Sequence, residues 1–108
     1  MDVGAVLIRL KPDSLQEVEH WQRVIEERKF EAIQTLQAEG VHIESWFYVE
    51  LEGQHYLIAY MRAKDLAHAQ KIAKSSPFEI DHIHRQFKKN WDAVYSAKLL
   101  IDLENQNT

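Results

Sequence analysis

A chain of 108 residues, 45% of them hydrophobic, suffices for one domain that buries roughly two-thirds of its unfolded surface without a staple. The absence of cysteine excludes disulfide scaffolds, thiol catalysis and Cys-ligated zinc, and agrees with a cytoplasmic address. A formal charge of −4 argues against a nucleic-acid partner, and no apolar run reaches the ~18 residues that a membrane helix needs.

Val3 to Leu10 reads as a strand, ended by Lys11-Pro12 because proline cannot donate to a ladder. The short apolar run behind an acidic second residue does not read as a secretory signal. Ser14-Leu-Gln-Glu17 has the form of a capping box, in which hydroxyl and carboxylate each satisfy a free N–H at a helix start. One helix is expected from there to about Glu39, stopping at Gly40; at ~1.5 Å per residue it would be roughly 38 Å long. Its inward stripe is Val18, Trp21, Ile25, Arg28, Ala32 and Leu36.

Residues 41 to 62 form a hairpin pattern around Glu52-Gly53, with Leu51 opposite Gln54, Phe47 opposite Ile58 and Trp46 opposite Ala59. Side chains alternate, so Val41, Ile43, Ser45, Phe47, Val49, Tyr56, Ile58, Tyr60 and Arg62 share one face. The other holds Glu44, Trp46, Tyr48, Leu57, Ala59 and Met61 with His42, Glu50 and His55. The first face is the more apolar and is expected to meet the helices. The second, mixed face suits a subunit interface.

Asp65 then caps a short helix to about Lys74, which Ser75-Ser76-Pro77 breaks. A third helical piece, from Pro77 or Asp81 to Trp91, turns Ile80, Ile83, His84, Phe87 and Trp91 inward. Val94 to Leu103 is the expected last strand. The domain is therefore 1–103, and the polar stretch 104–108 is expected to fray. Strand, helix, two strands, helices, strand is the α+β, ferredoxin-like βαββαβ order: a four-stranded antiparallel sheet with helices on one face. The uncovered face implies a homodimer related by two-fold symmetry, joined through Trp46, Leu57 and Met61.

Three groups of polar residues are candidates for chemistry. Asp81 and His84 lie at the start of a helix, where the dipole disfavours an imidazolium and leaves His84 neutral, as a proton acceptor or a core residue. Arg28 and Arg62 interrupt apolar faces, and each requires an anion, from Glu31, Asp81, Glu17 or a ligand. If they converge with His84, Tyr60 and Ser45, the result is a pocket for an anionic or carbonyl-bearing molecule. Glu44 and His42 share a strand face, but two ligands do not make a metal site. No phosphate loop, G-x-S-x-G elbow or H-E-x-x-H motif occurs, and no cofactor is implied.

R-L-K-P at 9–12, E-R-K-x-E at 27–31, E-G-V-x-x-E-S-x-F at 39–47, Y-L-I-A-Y-M-R at 56–62 and I-D-x-x-H-x-x-F at 80–87 together resemble a small bacterial family of unknown function, DUF6176. Such domains are similar to the dimeric α+β barrel superfamily. That resemblance implies the sheet-to-sheet dimer but no activity, since the superfamily includes cofactor-free monooxygenases, haem-degrading enzymes, mutarotases and lactone isomerases. The Asn, Trp and His set of the monooxygenase branch is not recognisable here. The family's recurring polar positions fall on Arg28, Glu31, Glu44, Ser45, Tyr60, Arg62, Asp81 and His84.

Two functions follow from these residues. In the first, a small-molecule-binding dimer works as a cofactor-free isomerase or mutarotase: His84 moves a proton, Asp81 orients it, Arg28 or Arg62 holds an oxyanion, Tyr60 donates a hydrogen bond, and Ser45 and Glu44 line the site. In the second, a non-catalytic ligand-sensing or protein-interaction module uses the same groups only for packing. The two differ in whether His84, Arg28 and Arg62 share one cavity.

Overall fold

The alternating apolar runs become four strands in the computed structural model, which describes residues 1–105. In chain order the elements are β1 (Asp2–Leu10), α1 (Leu15–Glu27), α2 (Lys29–Glu39), β2 (Val41–Leu51), β3 (Gln54–Ala63), α3 (Leu66–Lys74), α4 (Glu79–Phe87) and β4 (Trp91–Ala97). A single 3₁₀ turn, Lys88–Asn90, joins the last two. The strands pair antiparallel in the order β2-β3-β1-β4, and helices cover one face, giving an α+β fold of ferredoxin-like type.

Residues of the hairpin fix its register as the alternation predicts: Leu51 pairs with Gln54, Phe47 with Ile58 and Trp46 with Ala59. Glu52 and Gly53 both have positive φ, 51° and 77°, the geometry of a type I′ turn whose twist matches the strands. Register shifts at the far end, where Val41 pairs with Ala63 but Ile43 with Arg62. His42 is thus the extra residue of a bulge, which turns Val41 to the opposite face from Ile43.

The two faces are the reverse of the sequence expectation. The helices cover the side that carries Trp46, Leu57, Ala59 and Met61, and Leu57 is 2% exposed. One core cluster joins Ile8, Leu10 and Leu57 to Val18 and Trp21 of α1 and Phe87 of α4. A second joins Val41 and Ala63 to Ala69 of α3, with Leu36 of α2 against it. Counting charges along the hairpin misled because Glu50 and His55 lie at its tip, away from both core clusters. The face of Ile43, Phe47, Tyr60 and Arg62 is the helix-free one. An interface of Trp46, Leu57 and Met61 is accordingly excluded, because those side chains pack in or against the core.

Element ends differ too: the last helix stops at Phe87 and not at Trp91, which instead opens β4. The long helix breaks at Arg28 (φ −110°, ψ 32°), so that α1 packs over Ile8 and Leu57 while α2 turns toward the cluster of Ala63 and Ala69. Ser14 makes no side-chain cap; its hydroxyl donates instead to the Lys11 carbonyl at 2.7 Å, closing the turn before α1. Gly40 and Asp65 act as expected, Gly40 with φ 74° and Asp65 accepting from the His68 N–H at 3.1 Å.

The last strand ends at Ala97 and not at Leu103. Residues 98–103 run past Val3, Ala5 and Tyr60, crossing from β4 toward β3, where Asp102 forms an ion pair with Arg62. That pair takes the place of ladder hydrogen bonds. Of the stretch expected to fray, Glu104 and Asn105 lie outside any helix or strand. Residues 106–108 lie outside the described residues.

Candidate acidic cleft and buried histidine

The helix α4 has Ile80 and Phe87 on its buried stripe, and His84, one turn before Phe87, is thereby pressed toward the sheet. It sits among rings. Trp21 stacks on Phe87 with centroids 4.6 Å apart, Trp46 meets Trp21 edge-on at 5.0 Å, and Trp46 and Trp91 lie 5.4 and 6.1 Å from the imidazole. Such edge and offset contacts place the positive rim of one ring against the negative face of the next. The Trp21 indole N–H donates to His84 Nδ1 at 3.2 Å. A ring nitrogen that accepts carries no proton, so neutral His84 holds its hydrogen on Nε2.

Burial among these rings, with the cations Lys88 and Arg85 adding to it, pushes the His84 pKa down to about 4. The ring is neutral at physiological pH. It cannot be an imidazolium donor there, although a neutral imidazole retains the N–H of Nε2.

On the α2 side of the same helix lies a cleft of about 240 Å³, between the end of α2, the end of α3 and the segment that leads into α4. Asp81, in the first turn of α4, and Glu39, the last residue of α2, both line it. Glu39 is 7% exposed, and neither a hydrogen bond nor an ion pair satisfies it among the described residues. Burial, reinforced by the carboxylates of Asp81 and Glu44, pushes its pKa up to about 7. One oxygen of Asp81, Oδ2, is buried without a partner. Glu44 remains exposed on the edge strand as a residue, yet the protein around its carboxyl raises its pKa, as does Asp81, while Trp46 and Lys88 oppose the rise. Glu39 and Glu44 thus both feel the charge of Asp81, which lies one helical turn before His84.

The other expected site residues lie elsewhere. Arg28, at the break between α1 and α2, is bound to Glu31 and to Glu79, with Nη1 3.4 Å from Glu79 Oε1. Glu31 also accepts from the Ile80 N–H at 3.3 Å, so this group ties the helix break to the start of α4. Ser45, Tyr60 and Arg62 are on the helix-free face; Ser45 pairs with Tyr60 across the ladder, and the Arg62 guanidinium lies 6.0 Å from the Tyr60 ring. The sheet therefore separates Tyr60 and Arg62 from His84. Of the seven candidates, Asp81 and His84 lie one helical turn apart and Glu44 feels the Asp81 charge, while neither Arg28 nor Arg62 stands with them.

Glu39 and Trp21 are the residues that the sequence reading left without a role. An acid in the last turn of a helix, just before its glycine, faces the negative end of the dipole, and that misplacement was visible in the sequence. Trp21 was legible as core, but the partner of its N–H was not. Among the described residues, no group of three or more His, Asp or Glu side chains is arranged to hold a metal ion, and no helix is long and apolar enough to cross a membrane.

A search among curated proteins finds no match to the chain. The model of a family of unknown function, DUF6176, matches residues 1–108, the whole sequence, and the chain belongs to that family.

Proposed function

We propose that the protein is a homodimeric binding module of the dimeric α+β barrel kind, in which two sheets meet through their helix-free faces. The observation that carries this reading is the apolar surface of that face: Ile43, Phe47 and Tyr95 are 46%, 56% and 47% exposed. The segment that crosses it adds Leu100, Ile101 and Leu103, each still more exposed. A patch of this kind is more than a solvated sheet requires.

A second copy of the chain is the occupant that fits. In a two-fold interface a surface meets itself, so an unpaired charge near the axis meets its own like charge. Here both arginines of the face are neutralised within the chain, Arg9 by Asp92 and Arg62 by Asp102. Neither arginine therefore brings an unpaired charge to that face.

Light scattering at micromolar concentration tests this. A mass twice the 12.7 kDa of one chain is expected, falling to one chain in Phe47→Asp. Phe30→Asp, on the helical side and 78% exposed, is expected to leave the dimer intact. A monomeric wild type, or a dimer that Phe30→Asp dissociates and Phe47→Asp does not, overturns the sheet-to-sheet assembly.

A further inference from the structure

We propose that the cleft between α2, α3 and α4 binds a small organic ammonium ion, held by the carboxylates of Glu39 and Asp81, with its carbon skeleton against Ile72, Pro77 and Phe78. This deepens the reading of the chain as a binding module by naming a ligand class. It concerns the helical side of the molecule and does not depend on the sheet-to-sheet dimer.

The argument begins from Glu39. Its side chain is buried and without an in-chain partner, it ends a helix whose carbonyl dipoles already disfavour negative charge, and a second carboxylate shares its cleft. Each circumstance alone raises the free energy of an ionised carboxyl, and nothing cationic lines the cleft to offset them. Asp81 repeats the anomaly, with Oδ2 buried and unpartnered. Buried polar atoms are nearly always satisfied, so the orphaned Asp81 Oδ2, beside a Glu39 carboxylate with no partner in the chain, points to a donor that the chain does not supply.

The walls decide what kind of donor. The ligand count disfavours a metal ion, since the described residues offer no group of three or more suitable side chains. An ammonium group presents three N–H donors, which two carboxylates can accept directly, and it needs no full coordination sphere. Of the remaining lining, Ala38, Ile72, Pro77 and Phe78 are apolar, and the hydroxyls of Thr35 and Ser76 are already bonded within the chain, so the walls suit a short hydrocarbon body. The linker that forms the outer wall is itself fixed: Arg85 donates to the carbonyl of Ala73 at 2.9 Å and to that of Ser76 at 3.4 Å. The cleft is thus formed before a ligand arrives, and binding need not order it.

Thermal unfolding of the full chain at pH 8, with butylamine, phenethylamine or 1,4-diaminobutane, tests the proposal against the matching alcohols and against calcium chloride. At saturating amine the melting temperature is expected to rise by about 4 °C or more, with no response to the alcohols or to calcium. Glu39→Gln is expected to abolish the rise while melting above the wild type in the absence of amine, and Asp81→Asn to weaken it at least tenfold in apparent affinity. Both variants are checked for wild-type circular dichroism. No shift with any amine, an equal shift with the alcohols, a shift that survives Glu39→Gln, or stabilisation by calcium instead would each overturn it. Because the oligomeric mass of the same samples is read separately by light scattering, failure here is distinct from failure of the dimer.

Discussion

Trp21 and His84 are joined by a hydrogen bond in which the indole is the donor, 3.2 Å from Nδ1, inside a cluster of stacked and edge-on rings. The bond spans α1 and α4, so it links the two helices that cover Ile8 and Leu57. An acceptor at position 84 is what the buried Trp21 N–H requires. We therefore expect His84→Leu to cost about 1–3 kcal/mol, the penalty of an orphaned donor. His84→Gln, which keeps an acceptor, should cost less. Urea unfolding of the two variants at neutral pH checks the order, and equal losses would mean that the bond contributes nothing beyond packing.

The pH dependence is set chiefly by two groups of opposite sign, with Glu44 acting in the same direction as Glu39. His84 titrates near 4 when folded and 6.5 when unfolded, so between those values the unfolded chain holds the extra proton, and stability falls as the solution is acidified. Glu39 titrates near 7 when folded and 4.5 when unfolded, so in that window the folded chain holds the extra proton, and stability falls as pH rises. Between about pH 4.5 and 6.5 the two slopes, each about 1.4 kcal/mol per pH unit, nearly cancel. Glu39→Gln leaves the histidine alone, and the variant should lose stability on acidification through pH 6 where the wild type is flat. Identical slopes in wild type and variant, measured by urea titration across that range, would remove the compensation.

The same sign predicts the effect of Glu39 above its folded pKa. There the buried carboxylate is ionised without a counter-ion, and Glu39→Gln should stabilise the chain by about 1–3 kcal/mol at pH 8 while having little effect near pH 4. A variant equally stable or weaker at pH 8 would show that Glu39 has a partner in solution.

Residue pattern alone carried the strand and helix order, the hairpin register and the Asp65 cap, because each depends on neighbours a few positions apart. It failed where a distant element decided. Which hairpin face meets the helices depends on where Trp21 and Phe87 arrive, and a bulge at His42 sends Val41 to the other side from Ile43. The alternation of Leu99, Ile101 and Leu103 reads as strand, but the partner of Asp102 is Arg62, two strands away. The candidate site was legible only in part for the same reason. Asp81 and His84 are one helical turn apart, so their proximity is local, whereas the approach of Glu39 depends on how α2 crosses α4.

The Arg62–Asp102 pair makes a separate prediction for the crossing segment. Its side chains are 19% and 29% exposed, and otherwise the segment lines, with Val3, Ala5 and Tyr60, the cavity beneath it. Asp102→Asn should speed limited proteolysis within residues 99–103 while the amides of the β1–β3 ladder stay protected from exchange, since that ladder belongs to the core. Unchanged cleavage in the segment would mean that its apolar residues hold it, by contact with this chain or with a second copy.

Gly4 faces Leu66 at the start of α3, and a Cβ built on it would lie 2.9 Å from Leu66 Cδ1. The obstacle is the tip of a flexible side chain and not backbone, and φ at Gly4 is not in the left-handed region. A rotation of Leu66 can make room for one methyl, and alanine lowers the entropy of the unfolded chain, so Gly4→Ala should lie within about 1 kcal/mol of wild type. Valine adds two further methyls where α3 is already held close, by the Leu66 N–H donating to Asp2 Oδ2 at 3.0 Å, and Gly4→Val should cost about 1–3 kcal/mol. Shortening the neighbour opens the space again. Gly4→Val combined with Leu66→Ala should therefore be more stable than the sum of the two single losses, a coupling readable in a double-mutant cycle; strict additivity would place the strain of Gly4→Val elsewhere.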